Sequence, residues 1–271
     1  MPRVAGSAPP ATLPLMPASA LQYLASHETD LVEDLAALVR IPSLSGAPEH
    51  RADLLRAAAY VTDRLRAAGL EHVETLPTGG HPVIYADWLH AGPDAPTVLL
   101  YGHYDVQPAD PLELWESPPF APAIRDNRLY GRGAADDKAG VCAAIAALGA
   151  MFASGDLPSV NVKICFEGEE EIGSPNLEPL LERERGRFAA DLVISVDGGQ
   201  WSPDQPQVIL GLRGMIGLEL HVRGPAHDLH SGLFGGAVLN PLEALARLLA
   251  SMRAPDGRIT VDGFYDDVVE P

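Results

Sequence analysis

Residues Leu129–Gly140 read LYGRGAADDKAG and join a short strand-like segment to an apolar segment with helical character. The stretch holds three glycines, two adjacent aspartates and a lysine. Asp136 and Asp137 stand just before the helical segment, so one interpretation is that they cap its N-terminus. The other interpretation is that they face a ligand where a strand leads into a helix. The segments on either side of this stretch help to decide between these two interpretations.

Strand-like and helix-like segments alternate around this stretch. A continuous apolar run at Thr97–Tyr101 is typical of a strand that is covered on both faces. Val160–Phe166 and Leu192–Val196 are predicted to be further buried strands. Segments that we predict to be helical separate them, at Val141–Phe152 and at Leu177–Phe188. Such alternation predicts an α/β fold, a three-layer domain with a mainly parallel sheet and helices on both faces.

Further elements lie towards the two ends of the chain. An amphipathic helix is predicted over Leu21–Val39, ending before Pro42 because the residue before a proline avoids the helical region. A second helix is predicted over Glu49–Ala68, with Gly69 as its C-terminal cap. The remaining predicted elements are strands at Val73–Leu76, Val83–Trp88 and Met215–Val222 and a helix at Asn240–Met252.

The alternating pattern changes near Leu212–Gly214, beyond which one strand, a Gly- and His-rich loop and one helix are predicted. We therefore predict a flexible tail at residues 1–18, a large α/β domain at 19–212 and the first part of a smaller α+β domain at 213–271. One strand and one helix bury too little surface to fold alone. The smaller domain is thus expected to be incomplete in this chain.

Composition argues against several classes of partner. The chain has 271 residues, 46% of them hydrophobic, and a net charge of −18, which disfavours nucleic acid and anionic membranes. No segment reaches the roughly 20 apolar residues of a membrane span, and the N-terminus lacks the continuous apolar run of a secretory signal. Cys142 and Cys165 fit no metal or redox motif, so we expect them to be buried thiols of a cytoplasmic protein.

Acidic or histidine residues directly follow several of the predicted strands. They are His103 and Asp105, Asp136 and Asp137, Glu169, Glu170 and Glu171, and Asp197. Taken singly, they have ordinary explanations, such as a surface histidine, a solvated acidic loop or a turn aspartate. Ligands of open α/β sheets, however, bind beyond the carboxyl ends of the strands. We therefore expect these residues to share one site.

Cations would account for so many carboxylates in one place, because packed carboxylates repel one another unless their charge is offset. Two divalent metal ions about 3.5–4 Å apart would do so, with one carboxylate shared between them. Histidine and carboxylates without cysteine favour zinc and are compatible with manganese or cobalt. His103 would be a ligand and Asp105 would orient it, since a metal-bound imidazole usually donates its second N–H to a carboxylate.

Five stretches of the chain match, in order, the motifs of one enzyme family. They are GHYDVQP (Gly102–Pro108), LYGRGAADDKAG (Leu129–Gly140), FEGEEEIGSPNL (Phe166–Leu177), ISVDG (Ile194–Gly198) and DLHSGLFGG (Asp228–Gly236). On these motifs the sequence resembles the co-catalytic zinc peptidases, a family that includes carnosinases, cytosolic non-specific dipeptidases, aminoacylases, carboxypeptidase G and succinyl-diaminopimelate desuccinylase. The last stretch is most similar to the dipeptidase branch.

The resemblance implies a role for each site residue. The implied metal ligands are His103, Asp136, Glu171 and Asp197, with Asp136 bridging two zinc ions, often across a cis peptide bond to the next residue. The implied catalytic residues are Glu170 as general base, Asp105 as support for His103, and His230, which reaches into the active site of a dimer partner and stabilises the oxyanion. The family motif has a pair of adjacent glutamates, of which the first is the base, whereas this chain has three in a row, so the motif could be aligned in two ways. The Ile-Gly-Ser that follows favours the alignment on Glu170 and Glu171.

The resemblance also implies the reaction and the domain roles. Residues 19–212 would be the metal-binding catalytic domain, and residues 213–271 would belong to a lid through which two chains form a homodimer. The expected reaction is hydrolysis of the amide bond of dipeptides or short peptides. Two alternatives stay open: an N-acyl amino acid deacylase that uses the same metals, and a non-catalytic family member that keeps the fold as a binding or dimerisation module.

The family supplies one more metal ligand, a histidine near the C-terminal end of the catalytic domain. None of the remaining histidines matches that motif position, and the chain ends at Pro271, within the expected lid. We therefore expect the catalytic domain to be incomplete as well. On this basis the isolated chain should bind metal weakly and hydrolyse little substrate.

Overall fold

The computed structural model describes residues 18–202, 205 and 207–269. The chain divides into two compact units, the first ending at Val208 and the second beginning at Ile209. The expected tail at 1–18 lies outside the described residues except for Ala18, which begins the first helix. Among the helices of the described residues, none combines the length and hydrophobicity needed to cross a membrane.

The first unit contains both helices and strands. Its helices are α1 (Ala18–Ser26), α2 (Glu28–Val39), α3 (Arg51–Ala68), α4 (Lys138–Ser154), α5 (Leu177–Arg183) and α6 (Arg185–Phe188). Its strands are β1 (Glu71–Leu76), β2 (Val83–Trp88), β3 (Thr97–His103), β4 (Ala123–Arg125), β5 (Arg128–Tyr130), β6 (Asn161–Glu167) and β7 (Leu192–Ser195). Short 3₁₀ turns lie at Pro48–His50, Leu112–Leu114 and Glu170–Ile172.

Five of these strands form the central sheet, in the order β1-β2-β6-β3-β7. β3 lies between β6 and β7 and is parallel to both. β2 is antiparallel to its two neighbours, β1 and β6. The sheet is therefore mixed, with β2 running against the other four strands. β4 and β5 pair separately as a small antiparallel hairpin.

Helices cover both faces of the sheet, as the three-layer prediction requires. On one face, buried residues of α3 and α4 such as Leu65 and Val141 pack with Ile164 of β6. On the other face, Leu180 of α5 and Phe188 of α6 pack in a second apolar cluster. The α/β fold class is thus confirmed. The two apolar clusters hold the helices against the sheet whose edge carries the acidic segments.

Two predicted helices are each divided in two. The helix expected over Leu21–Val39 is interrupted at His27, whose backbone N–H is shared between the carbonyl oxygens of Tyr23 at 3.1 Å and Leu24 at 3.2 Å. The helix expected over Leu177–Phe188 is interrupted at Glu184, which separates α5 from α6. The apolar spacing continues across both interruptions, so the sequence pattern does not reveal them.

The second unit contains the helices α7 (Ser231–Phe234) and α8 (Pro241–Ser251). The strand predicted at Met215–Val222 is wrong, because residues 207–225 adopt neither helix nor strand and Met215 is 99% exposed. A strand must hydrogen-bond to a neighbour. The described residues of this unit offer no second strand for that pairing. The helix expected at Asn240–Met252 is confirmed, and the Asn240 side chain accepts the Leu242 N–H at its start.

Candidate metal centre

The candidate ligands come from four segments of the first unit. His103 ends β3, Glu170 and Glu171 follow β6, and Asp197 follows β7. Because β3, β6 and β7 are parallel, their carboxyl ends lie at the same edge of the sheet. Asp136, in the loop before α4, completes the set.

His103 lies at the centre of this set and is fully buried. Its Nε2 atom lies 3.1 Å from Oδ1 of Asp136 and 3.6 Å from Oδ2 of Asp197. Oε2 of Glu170 is 3.9 Å from the same nitrogen. Two groups of potential ligand atoms each lie within 4.8 Å of one another: those of His103, Asp136 and Asp197, and those of His103, Glu170 and Glu171. The residues expected from the sequence thus come together around one imidazole edge.

Asp105 is also fully buried and links two of the segments. Its Oδ1 atom lies 3.3 Å from Nδ1 of His103. Its Oδ2 atom accepts the backbone N–H of Glu171 at 3.1 Å. The backbone carbonyl oxygen of Asp105 lies 3.2 Å from the same Nδ1 atom. Asp105 therefore positions both the imidazole and the turn that carries the glutamates, and it leaves Nε2 of His103 facing the other acids.

Asp137 holds the backbone of the site, a role that the sequence pattern did not assign. The Asp136–Asp137 peptide bond is cis. The buried Asp137 accepts the backbone N–H of His103 at 3.0 Å through Oδ2, and its side chain forms no capping hydrogen bond with α4. Gly102 makes room for this contact, since a Cβ atom there would lie 2.6 Å from Asp137 Oδ2. Asp137 therefore does not cap the helix, whereas Asp136 is 69% exposed and faces His103.

Glu169, the first of the three glutamates, is engaged elsewhere. It is buried, and its Oε1 atom accepts the backbone N–H of His81 at 3.0 Å. The side-chain amide of Asn176 donates to both of its oxygens, at 3.2 and 2.9 Å. These bonds tie the β1–β2 loop to the acidic turn. The geometry favours the register in which Glu170 and Glu171 are the residues that face the site.

The negative charges of the site act most strongly on His103. Burial alone would lower the pKa of its imidazole, but the contact with Asp105 and the charges of Asp137 and Glu170 outweigh burial and raise it to about 10. Burial raises the pKa of Asp137 to about 7. Burial also raises the pKa of Glu170, although His103 acts in the opposite direction. Without a metal ion, a protonated His103 would offset part of the negative charge of the surrounding carboxylates.

We expect zinc binding to remove a proton from His103. With a pKa of about 10 the ring is protonated at pH 8, whereas a metal-binding imidazole must give up the proton on its ligating nitrogen. Nitrogen-15 NMR of the histidine rings should therefore report an imidazolium for His103 at pH 8 without metal and a neutral ring after zinc is added. A neutral His103 ring at pH 7 in the metal-free protein would contradict this assignment. The other histidines of the chain serve as internal references.

Buried charged residues away from the imidazole edge support the surrounding loops. Lys138, at the start of α4, donates to the carbonyl oxygens of Leu38 at 3.1 Å and Ile41 at 2.7 Å, and burial lowers its pKa to about 7. Glu167, at the end of β6, accepts the hydroxyl of Tyr101 at 2.6 Å. The lysine beside two aspartates in LYGRGAADDKAG is the sequence signal for Lys138, but its backbone partners lie about 100 residues earlier, in the last turn of α2 and just beyond it.

His230 belongs to the second unit and directly precedes α7. Its side chain is exposed, and Nδ1 accepts the backbone N–H of Gly232 at 3.0 Å. A nitrogen that accepts a hydrogen bond carries no proton, so a neutral His230 bears its proton on Nε2. The ring can therefore donate a hydrogen bond through Nε2.

Comparisons with known proteins identify relatives of the chain. The family model described as "Peptidase family M20/M25/M40" matches residues 99–264. The Beta-Ala-His dipeptidase of Homo sapiens is 38% identical over 278 residues, which cover 97% of this chain and 54% of that protein. The Cys-Gly metallodipeptidase DUG1 of Saccharomyces cerevisiae is 31% identical over 268 residues, covering 93% of this chain and 56% of that protein.

Solved structures agree with the sequence comparisons. The structure of the di-peptidase Dug1p from Saccharomyces cerevisiae superposes with a TM-score of 0.73 at 30% identity, over 93% of this chain and 56% of that one. Human carnosine dipeptidase 1 gives a TM-score of 0.68 at 33% identity, over 93% and 55% of the two chains. The chain spans about half the length of the curated relatives it matches. The resemblance to the dipeptidase branch is confirmed, and the chain belongs to peptidase family M20/M25/M40.

Proposed function

We propose that this protein is a metal-dependent hydrolase that cleaves the peptide bond of dipeptides. The observation that carries the proposal is the convergence of Asp136, Glu170 and Asp197 on one nitrogen of the buried His103. The names of the relatives, which are dipeptidases, support the same substrate class. In this proposal residues 19–212 form the catalytic domain, and residues 213–271 belong to a lid and dimerisation domain.

We propose that the site holds two zinc ions. His103, Asp136 and Asp197 would hold one ion, and Asp136 and Glu171 would hold the other. The donor set supports this choice, because neutral imidazole and carboxylates are established zinc ligands. Oδ1 of Asp137 is buried and has no hydrogen-bond partner among the described residues. Nearby cations would help to offset the cost of burying this carboxylate oxygen. When bound, the ions would acidify water and polarise the scissile carbonyl group.

Glu170 is the proposed general base. Its carboxylate lies beside His103, is half-buried and has a raised pKa, all of which suit a group that must accept and then return a proton. It would take a proton from the attacking water and pass it to the nitrogen of the leaving amine. Asp105 would keep His103 and the glutamate turn in register during both steps, because its backbone carbonyl oxygen and Oδ1 both lie close to Nδ1 of His103 and its Oδ2 accepts the N–H of Glu171.

His230 is the proposed oxyanion donor and would act on the site of a second copy of the chain. Its Nε2–H is free to donate because Nδ1 is occupied by the N–H of Gly232. Action between copies predicts complementation: mixing an inactive Glu170→Gln protein with an inactive His230→Ala protein should restore activity as mixed dimers form. Mixed dimers that stay inactive, although both variants fold and dimerise, would contradict action across the dimer.

A substrate comparison tests the proposed reaction. The zinc-loaded full product of the gene is assayed with Cys-Gly and β-alanyl-histidine, and in parallel with N-acetyl and N-succinyl amino acids. We expect hydrolysis of the dipeptides to exceed that of the acylated amino acids. Preference for an acylated amino acid would indicate a deacylase instead. Zinc binding without turnover of any of these compounds would indicate a non-catalytic module.

A further inference from the structure

Gln107 lies in the loop that leaves β3 and contacts a residue 64 positions further along the chain. Its Nε2 atom is 2.8 Å from Oε2 of Glu171 and 3.0 Å from the backbone carbonyl oxygen of Glu171. A carboxylate and a carbonyl only accept hydrogen bonds, so the amide of Gln107 must present its NH₂ group to both. Both acceptors of the Gln107 amide nitrogen therefore belong to the same glutamate.

Glu171 is held at three points as a result. Asp105 accepts its backbone N–H, and Gln107 donates to its carbonyl oxygen and to one carboxylate oxygen. The other carboxylate oxygen, Oε1, forms no hydrogen bond within the part of the chain that the structure describes. A half-buried glutamate would otherwise sample several rotamers, and fixing one of them in advance favours ligand binding.

We propose that Gln107 is a positioning residue for the second metal ion. It holds Oε2 of Glu171 and leaves Oε1 as the oxygen that binds the ion. This inference rests on the proposed function, in which Glu171 is a metal ligand. Removing the hydrogen-bond partner of a metal ligand typically weakens metal binding by about 10- to 100-fold.

A Gln107→Met variant tests the proposal, because methionine has a similar length and cannot donate to Glu171. Zinc binding is measured by calorimetry, and binding of Co²⁺ by its visible absorption, in wild-type and variant forms of the full product of the gene. We expect affinity for one ion to fall by about 10- to 100-fold while the ion held by His103 and Asp197 binds as before. The control is Gln22→Met on the exposed surface of α1, for which both affinities should stay at the wild-type values.

A Glu171→Gln variant separates failure of this inference from failure of the proposed function. If Glu171→Gln loses one ion and Gln107→Met binds both ions normally, Gln107 does not position Glu171, and the proposed function stands. If Glu171→Gln itself keeps both ions at wild-type affinity, Glu171 is not a ligand, and the inference fails together with that part of the proposed function. Equal weakening of both ions in Gln107→Met would also overturn the proposal, since it would indicate a general disturbance of the site.

Discussion

Replacing Glu170 by Gln is expected to lower kcat for dipeptide hydrolysis by about 10²- to 10⁴-fold, the range typical of a lost general base. The amide has almost the same size as the carboxylate but cannot accept the proton of the attacking water. KM and zinc content should change little, because Glu170 is not one of the proposed metal ligands. The measurement is steady-state kinetics of the zinc-loaded full product of the gene, together with its metal content.

Two matched variants make this result specific. Glu178→Gln changes an exposed residue of α5 in the same way and should leave kcat at the wild-type value. Glu169→Gln weakens the bonds to His81 and Asn176, so it should lower thermal stability more than kcat. If Glu169→Gln loses turnover while Glu170→Gln keeps it, the register of the glutamates is wrong and Glu169 is the base.

Replacing Asp136 by Ala is expected to have the largest effect on metal binding. Loss of a partner that only orients a ligand costs about 10- to 100-fold in metal affinity, so loss of a ligand shared by two ions should cost more than about 100-fold. Asp136 is mostly exposed at the mouth of the site, and its removal should leave the fold intact. We expect zinc content after dialysis to fall below one ion per chain and turnover to fall with it.

An exposed aspartate elsewhere provides the control for this variant. Asp94→Ala, in the loop before β3, removes the same charge and should retain wild-type zinc content. Circular dichroism of both variants checks that the fold is kept. An Asp136→Ala protein that still binds two zinc ions at wild-type affinity would exclude Asp136 as the shared ligand.

Much of the sheet could be predicted because most of its strands are mainly apolar segments. Val83–Trp88 is predicted with the bounds that β2 has, and the strand predicted at Thr97–Tyr101 continues two residues further, to His103. The antiparallel placement of β2 was missed, although a signal was present: the connection from Leu76 to Val83 is too short for a parallel crossover of a dozen or more residues. The strand predicted at 215–222 is wrong, because the apolar spacing of a segment does not show whether a second strand is available to pair with it.

The candidate site could be outlined from the sequence because its residues follow strand ends. Topology then determines which ends coincide, and β3, β6 and β7 bring His103, Glu170 and Asp197 together. The supporting contacts could not be predicted, because they join residues far apart in sequence. Asp137 accepts the N–H of His103 across 34 positions, and Gln107 reaches Glu171 across 64. Periodicity and motif spacing carry no information about such contacts.

Asp136 is proposed to lie between two metal ions. Anomalous diffraction at the zinc edge, from crystals of the zinc-loaded full product of the gene, measures this directly. We expect two peaks about 3.5–4 Å apart, with an oxygen of Asp136 about 2.0–2.2 Å from each. His103 and Asp197 should contact one peak and Glu171 the other. A single peak, or two peaks of which Asp136 contacts only one, would exclude Asp136 as a ligand shared by two ions.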